Sequence, residues 1–317
     1  MLLVGDVGGT HARFAIASRQ GGRFVIEKFK VLEGDAYATF DDALAAYLGS
    51  AEVQPDAACV AIAGPVRGGK GHLTNRDWTV SEQALRVRFG IARALVVNDF
   101  LAMARSVPEL PAEAFEALLA GEPVAGAPVL VAGPGTGFGV ATLLPDGDHW
   151  RVISGEGGHM AYAPRTAQEH ELATLLAREH GYVSNELVAS GSGLEEVHAA
   201  FCEMYGVAYA RMSPQEMRRR ADAGEAIYQA LIEVRALAVM GAVGDLALAN
   251  GALGGVVLAG GVTERIADFL KTPKARTRFV SRGPMSEYLA DCPVRLLHAP
   301  AAALVGAAAH FAQVQGI

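Results

Sequence analysis

Apolar and polar positions along the first hundred residues follow two periods, one typical of strands and one typical of helices. Continuous apolar runs at 58–63 and 94–97 are typical of strands that are buried on both faces of a sheet. Stretches that begin at Thr39 and Thr79, each with an acidic residue three positions on, predict capped amphipathic helices. This succession of strands and helices predicts an α/β fold.

The opening residues form the first of two similar patterns of strand, turn and strand. An apolar run at 2–4 gives way to a turn and resumes at Phe14, which predicts a β-hairpin. The turn holds Gly5, Asp6, Gly8, Gly9 and Thr10. Glycines let backbone N–H groups approach a phosphate, whereas an exposed carboxylate at Asp6 would need a divalent cation between itself and that phosphate. The pattern predicts a site for a metal-bound nucleotide, with an ordinary tight hairpin as the alternative. No Gly-Lys-Ser/Thr follows, so this is not a Walker loop.

The same layout returns at 129–144, where a turn with Thr136 between glycines separates two apolar runs. An internal repeat of strand, phosphate turn and strand predicts two related domains that face each other across a nucleotide. Prolines punctuate the stretch 108–127, for which we predict a short helical patch and the junction between the two domains.

Polar side chains stand at the end of one predicted strand and in one later loop. Asn98 and Asp99 directly follow an apolar run, and open α/β sheets bind their ligands at the carboxyl ends of strands. A helix cap or a turn is the alternative for Asp99. Glu156 and His159 lie in a glycine-rich loop that leaves both side chains uncovered, and Glu186 follows shortly after. The alternatives are a solvated surface loop and, for Glu186, the first turn of a helix.

The last third of the chain offers another place for a nucleotide. A long apolar helix at about 223–250 leads into a buried strand at 255–259 that ends in Gly260 and Gly261, where a new helix starts. Bare backbone at such a turn can lie flat against an adenine or a ribose, although a strand-to-helix turn also uses glycine for packing alone. The alanine-rich stretch 301–313 predicts a final helix.

Composition excludes several classes of function. The net charge of −7 gives no basic surface for nucleic acid. The three cysteines are widely spaced, so neither a zinc site nor a disulfide framework is expected, and a reducing cytoplasm suits them. Met1 leads straight into a strand, and the most apolar stretch, 236–244, is much shorter than the ~20 residues that span a bilayer. We therefore expect a cytoplasmic protein that binds neither nucleic acid nor membrane.

Taken together, these motifs resemble the bacterial glucokinase family over essentially the whole chain. The matching segments are Gly5–Thr10 (GDVGGT), Asn98–Phe100 (NDF), Gly135–Gly137 (GTG), Gly155–His159 (GEGGH), Glu186 and Leu258–Gly261 (LAGG). The resemblance implies a two-domain actin-like ATPase fold, a duplicated ribonuclease H-like fold with a sugar cleft between the domains. It implies a small domain of residues 1–108 with the C-terminal helix at about 301–317, and a large domain of residues 109–300.

The resemblance also implies roles for individual residues, with ATP and Mg²⁺ as cofactors and glucose as the substrate. Asp99 matches the catalytic base, which takes the proton of the sugar 6-hydroxyl. The sugar ligands would be Asn98, Glu156, His159, Glu186 and, more loosely, Asn75. The phosphate turns would be Gly5, Asp6, Val7, Gly8, Gly9 and Thr10 in the first domain and Gly135, Thr136 and Gly137 in the second. Gly260 and Gly261 match the adenosine contact, and Asp6 matches the acidic residue near the metal.

Two departures from related patterns matter. His11 stands where the family pattern leads us to expect Asn, which affects that side chain and not the backbone of the turn. The cysteine-rich zinc motif of the ROK sugar kinases is missing after His159, so no structural metal is expected.

Several alternatives remain at this point. The enzyme could phosphorylate another hexose, such as mannose or an N-acetylated sugar, and polyphosphate or ADP could replace ATP as donor. A non-catalytic sugar sensor of the ROK kind would need a helix-turn-helix segment, which we do not expect ahead of Gly5. An actin-like ATPase chaperone or filament would have no use for the sugar-binding carboxylates. Relatives suggest a homodimer, and two facing domains predict closure on sugar binding.

Overall fold

The computed structural model describes residues 1–73 and 76–316 of the 317-residue chain. Asn75, predicted as a sugar ligand, and its neighbour Thr74 lie outside the described residues. The chain divides into two compact units. The first comprises residues 1–114, 145–154 and 299–317, and the second comprises residues 115–144 and 155–298.

The first unit contains a mixed sheet, a small antiparallel sheet and several helices. Its strands are β1 (Leu2–Val7), β2 (His11–Gln20), β3 (Arg23–Glu33), β4 (Ala57–Ile62), β5 (Val66–Arg67), β6 (Lys70–His72), β7 (Thr79–Ser81) and β8 (Arg93–Asn98). Its first helices are α1 (Phe40–Ala51), α2 (Glu82–Phe89) and α3 (Asp99–Ser106). The large sheet has the order β3-β2-β1-β4-β8, and β5, β6 and β7 form the small one. All six residues of β4 are buried, as the continuous apolar run predicts.

The second sheet has the order β12-β11-β10-β13-β14-β9. Its strands are β9 (Phe115–Leu119), β10 (Val129–Pro134), β11 (Phe138–Asp146), β12 (His149–Gly155), β13 (Val256–Leu258) and β14 (Val294–Leu297). The helices of the second unit are α4 (Ala167–His180), α5 (Asn185–Ala189), α6 (Leu194–Met204), α7 (Pro214–Asp222), α8 (Ala226–Asn250), α9 (Gly261–Arg265), α10 (Ala267–Leu270), α11 (Pro273–Val280) and α12 (Ser286–Leu289). Helix α8 is buried over most of its length and contributes many side chains to the core of this unit.

The internal repeat predicted from the two hairpins is confirmed in the topology of the sheets. Strand β1 pairs antiparallel with β2 and parallel with β4, which in turn pairs parallel with β8. Strand β10 likewise pairs antiparallel with β11 and parallel with β13, which pairs parallel with β14. Both sheets therefore contain the same five-strand arrangement, in which the first strand of the hairpin is central.

The last helix, α13 (Ala302–Gln315), belongs to the first unit, where it packs against α3, β1 and β4. Its crossing with α3 depends on Gly306, since a methyl group there would lie 1.7 Å from the Ala102 carbonyl oxygen. Near the end of α13, the Gln313 amide accepts a hydrogen bond from the Trp150 N–H (3.3 Å) and donates one to the Trp150 carbonyl (2.8 Å). These bonds hold residues 145–154 within the first unit.

Local predictions were mostly right about which elements exist and less accurate about where they begin. The capping box of α1 is present, because Thr39 and Asp42 each accept a hydrogen bond from the other's backbone N–H. The cap predicted at Thr79 is wrong: Thr79 lies in β7, and Ser81 caps α2. Strand pairing places the helix start two residues later than the capping pattern predicted.

The proline-punctuated stretch also differs from the prediction. Short 3₁₀ turns at Val107–Glu109 and Ala112–Ala114 are followed by β9, which pairs antiparallel with β14. The predicted helix beyond residue 114 is therefore wrong. This segment forms a strand because it pairs with β14, about 180 residues later in the chain. Among the described helices, none combines the length and apolarity needed to cross a membrane.

Candidate active site

The predicted catalytic carboxylate and the first phosphate turn lie at the same edge of the first sheet. Val7 of β1 is the register partner of Ile62 in β4, and Ile62 is the partner of Asn98 in β8. The three parallel strands therefore end side by side, with the Gly8–Thr10 turn following one strand and Asp99 following another. This is the edge at which open α/β sheets place their ligands.

The opening turn is shorter than the sequence predicts. Strand β1 continues to Val7 and β2 begins at His11, so only residues 8–10 turn the chain, closed by the Gly8 N–H donating to the His11 carbonyl at 3.0 Å. The prediction that Gly5 and Asp6 belong to the turn is wrong, because both pair within the β-ladder. Buried Gly5 and Val7 support the turn from inside the sheet and do not line it.

Asp6 is not the exposed carboxylate that we expected. Its side chain is 17% exposed, and its Oδ2 accepts a hydrogen bond from Arg13, its register partner in β2, at 2.9 Å. Burial raises the pKa of Asp6 above its ordinary value, while the Arg13 charge and hydrogen bond act in the opposite direction. The carboxylate is thus held in place by a cation before any ligand arrives.

Arg76 is a site residue that the sequence analysis missed. Its Nε donates to the Gly9 carbonyl at 3.0 Å, its guanidinium also pairs with Asp35, and it lies 5.0 Å from the centre of the Trp78 ring. The Gly34 N–H donates to the Thr10 carbonyl at 2.8 Å. Because the Arg76 guanidinium and the Gly34 amide bind the carbonyls of Gly9 and Thr10, and the Gly8 N–H closes the turn, the N–H groups of Gly9 and Thr10 are the donors that remain for an anion.

Asn98 and Asp99 begin helix α3. The Asn98 Oδ1 accepts hydrogen bonds from the N–H groups of Phe100 (3.0 Å) and Leu101 (3.2 Å), and its Nδ2 donates to the Gly64 carbonyl at 3.2 Å. Asn98 is therefore the N-cap, which is the role considered as an alternative for Asp99. Asp99 is the first helical residue and half-buried, at the helix end that favours a negative charge.

In the second unit, the second glycine turn and the predicted adenosine turn lie together. The Gly135 N–H donates to the Gly137 carbonyl at 2.8 Å, which closes the turn between β10 and β11. Gly260 has φ of 105°, and a methyl group there would lie 2.6 Å from the Pro134 carbonyl oxygen. Gly260 is therefore required both by its backbone conformation and by its close approach to the turn.

Other glycines at these turns are required neither by a positive φ nor by close packing against the protein. A methyl group at Gly135 or Gly261 would meet no protein atom within 4 Å, and one at Gly8 would meet only the His11 carbonyl oxygen, at 3.8 Å. None of the three has a positive φ. Their bare backbone leaves open space beside the turns, which is what the close approach of a phosphate or a ribose requires.

Two of the predicted sugar ligands of the second unit, Glu186 and His159, lie close together near the start of β11. The Glu186 Oε2 accepts a hydrogen bond from the Phe138 N–H at 2.6 Å, and the Glu186 Oε1 lies 3.9 Å from the His159 Nε2. Glu186 lies in the first turn of α5, which was the alternative to a sugar-binding role, and its side chain nevertheless reaches Phe138 and His159. Gly158 packs so closely that a methyl group would lie 2.1 Å from the Phe138 carbonyl oxygen. Glu156 is exposed and His159 is exposed, as the glycine-rich loop predicts.

The described residues contain no group of three or more His, Cys, Asp or Glu side chains placed to hold a metal ion. Asp6 offers a single carboxylate. Mg²⁺ typically binds one or two carboxylates together with water and substrate phosphates, so this donor set fits a cation that arrives with a nucleotide.

Comparison with solved structures places this fold among known proteins. A glucokinase from an Antarctic psychrotroph matches with a TM-score of 0.85 and 34% identity over 98% of each chain. A ROK family glucokinase from Streptomyces griseus, solved in complex with glucose and AMPPNP, shares the fold with a TM-score of 0.65 and 19% identity over 97% of each chain. The fold and the paired glycine turns define the class: sugar kinases of the actin-like ATPase fold.

Sequence comparison narrows the class. The profile of the glucokinase family matches residues 3–314. A glucokinase from Chromobacterium violaceum is 39% identical over 98% of this chain and 89% of its own length. The chain belongs to the glucokinase family. It is a hexose kinase, and its reaction is the ATP-dependent phosphorylation of glucose.

Proposed function

We propose that Asp99 is the general base of this glucose kinase. The observation that carries the proposal is its position as the first residue of α3, at the strand edge where the Gly8–Thr10 turn also lies. The Asp99 carboxylate takes the proton of the glucose 6-hydroxyl as that oxygen forms its bond to the γ-phosphorus. The bond from the γ-phosphorus to the β–γ bridging oxygen breaks, and ADP leaves.

The two glycine turns bind the phosphates in this proposal. The N–H groups of Gly9, Thr10, Thr136 and Gly137 face the phosphates, since those of Gly8 and Gly135 close their own turns. The carbonyls of Gly9 and Thr10 are already bound by protein donors. Asp6 would hold the Mg²⁺ that accompanies ATP, and the cation would neutralise charge between the carboxylate and the phosphates. Gly261, with open space around it, lies against the adenosine.

Glu156, His159 and Glu186 orient the sugar. Glucose hydroxyls are both donors and acceptors, so two carboxylates and an imidazole can pair with them individually. A site built on such pairing rejects analogues that lack one hydroxyl by up to ~10⁴-fold, which favours glucose over its deoxy analogues. Asn98 and Asn75 remain predicted contacts, and Asn98 still has a second amide N–H beyond the one that it donates to Gly64.

The test of the base is the Asp99→Asn variant. Asparagine keeps the shape of the side chain but cannot accept the proton, so we expect kcat to fall by ~10² or more while glucose affinity changes only a few-fold. A coupled assay of glucose 6-phosphate formation gives kcat, and calorimetry gives the glucose Kd. Asp148→Asn, at an exposed loop carboxylate, is the matched control. Turnover at the wild-type rate in Asp99→Asn would remove Asp99 from the mechanism.

The sugar-binding assignment has its own readout. Glu186→Gln and His159→Gln should each raise the KM for glucose by about 5- to 150-fold, because leaving a hydrogen-bonding group unsatisfied costs ~1–3 kcal/mol. An unchanged KM for glucose in both variants would contradict the assignment.

We further propose a cytoplasmic homodimer with the domain boundaries that the resemblance implies. Three free and buried cysteines support a reducing compartment. Sedimentation equilibrium tests the dimer, and a mass near the monomer's 33.1 kDa at micromolar concentration would contradict it.

A further inference from the structure

Arg235 is a buried arginine in the middle of the apolar helix α8. It is 5% exposed, and no carboxylate within the described residues forms an ion pair with it. Burial lowers its pKa to about 10, which still leaves it charged at neutral pH. Burying a charge with no carboxylate partner costs free energy, so the hydrogen bonds of the guanidinium must offset that cost. The groups that it binds therefore indicate its structural role.

All of its described hydrogen bonds go to one end of helix α5. The Arg235 Nε donates to the Val188 carbonyl at 3.3 Å, and its Nη2 donates to the carbonyls of Ala189 (2.9 Å) and Ser190 (2.6 Å). These are carbonyls at the C-terminal end of α5, where a helix has unpaired acceptors and partial negative charge. Arg235 therefore fixes the point at which α5 passes into the loop 190–193.

The loop 190–193 forms hydrogen bonds with the second glycine turn, 135–137. The Gly191 N–H donates to the Gly135 carbonyl at 2.9 Å, and the Ser192 N–H donates to the Thr136 carbonyl at 3.0 Å. The hydroxyls of Ser190 and Ser192 lie 2.8 Å apart and stiffen the loop. The carbonyls of Gly135 and Thr136 are thereby bound, and because the Gly135 N–H closes the turn, the N–H groups of Thr136 and Gly137 are left for phosphate.

The other end of α5 holds the same turn through a side chain. Glu186, in the first turn of the helix, accepts the Phe138 N–H directly after the turn. Residues 135–138 are thus hydrogen-bonded both by Glu186 at the start of α5 and by the loop that follows the helix. Glu186 is also the proposed sugar ligand. Arg235 is the buried residue that anchors this helix and loop to the core helix α8.

We propose that Arg235 is a positioning residue that sets the phosphate turn 135–137 by clamping the end of α5, and that it couples this turn to Glu186. The inference rests on the proposed role of the turn in binding ATP. Arg235 touches neither substrate. Its loss should loosen the loop 190–193, raise the KM for ATP and weaken the dependence of nucleotide affinity on glucose.

The experiment compares Arg235→Met with Arg278→Met. Arg278 is another buried arginine of the same unit, but it pairs with Glu169 at the start of α4, and none of its described side-chain hydrogen bonds goes to α5. Both variants lose a buried guanidinium, so both should lose stability. Only Arg235→Met should raise the KM for ATP, by about tenfold, and reduce the effect of glucose on the Kd of a non-hydrolysable ATP analogue. Equal kinetic changes in both variants would reduce Arg235 to a structural role and overturn the proposal.

Amide hydrogen exchange provides a readout that needs no turnover. The Gly191 and Ser192 amides should lose protection in Arg235→Met and, to a smaller extent, in Arg235→Lys, whose ammonium cannot reach all three carbonyls. Arg235→Lys also serves if Arg235→Met fails to fold. Unchanged protection of both amides in Arg235→Lys would overturn the proposal. Lost protection with an unchanged KM for ATP would instead refute the assignment of the turn to ATP, on which the inference depends.

Discussion

Replacing Gly306 with alanine tests whether the C-terminal helix positions the proposed base. The added methyl carbon would lie 1.7 Å from the Ala102 carbonyl oxygen, whereas real methyl carbons essentially never come within 3.0 Å of another atom. Helices α13 and α3 must therefore separate by at least about 1.3 Å at this point. Neither partner can yield by rotating a side chain, because the obstructing atom belongs to the backbone.

The displacement reaches Asp99 because the two residues share a short, rigid helix. Asp99 lies three residues before Ala102, about 4.5 Å along the axis of α3. A misplacement of ~1 Å at a reacting group can cost ~10² in rate, and overpacking costs ~1–3 kcal/mol of stability. We expect Gly306→Ala to lose kcat by roughly 10²-fold, to lose about 2 kcal/mol of unfolding free energy and to keep its KM for ATP within a few-fold.

The assay combines glucose 6-phosphate formation with urea denaturation. Gly49→Ala is the matched control, because Gly49 lies in helix α1 with no atom within 4 Å of an added methyl group. That variant should gain ~0.5–1 kcal/mol and keep its activity. Wild-type kcat in Gly306→Ala, with or without a loss of stability, would refute the reasoning that the crossing of α13 and α3 positions Asp99.

Two further predictions concern charge. Burial alone would raise the pKa of Glu169, but the Arg278 side chain and the N–H groups of Arg165 and Thr166 bind the carboxylate and lower the pKa below its ordinary value of 4.5. The stability that this carboxylate contributes is complete above that value and is lost as the pH falls through the lower folded pKa. The unfolding free energy of the wild type should therefore fall more steeply below about pH 5 than that of Glu169→Gln, and parallel urea-denaturation curves would contradict this. Asp6→Asn should raise the Mg²⁺ concentration for half-maximal rate by ~10-fold with little change in the KM for glucose, and an unaltered Mg²⁺ titration would remove Asp6 from the metal site.

Much of the site could be predicted because its signals are local. Glycine turns between apolar runs, a carboxylate directly after a buried strand and the Thr39 capping box each depend on neighbours in sequence, and each appears in the structure. The exposure of Asp6 was mispredicted although a signal existed. In a hairpin with a turn at 8–10, Arg13 stands opposite Asp6, and cross-strand pairs of opposite charge bind each other.

Other features depend on contacts that no local pattern contains. Arg76 reaches a turn 67 positions earlier in the chain, and β9 pairs with a strand near the C-terminal end. Arg235 stands in a long and strongly apolar helix, where hydropathy favours only burial and does not indicate which carbonyls need donors. Ser81 caps α2 in place of Thr79 because β7 extends through Thr79, and tertiary pairing overrides the capping preference.

The return of α13 to the first unit affects how the chain matures during synthesis. A ribosome makes α3 early and α13 after every other described helix, so the apolar side of α3 waits for its partner through most of translation. The nascent first unit therefore exposes apolar surface until α13 has been made. Chains truncated before residue 302 should be inactive and prone to aggregate. Only copies that contain α13 can complete the unit that carries Asp99.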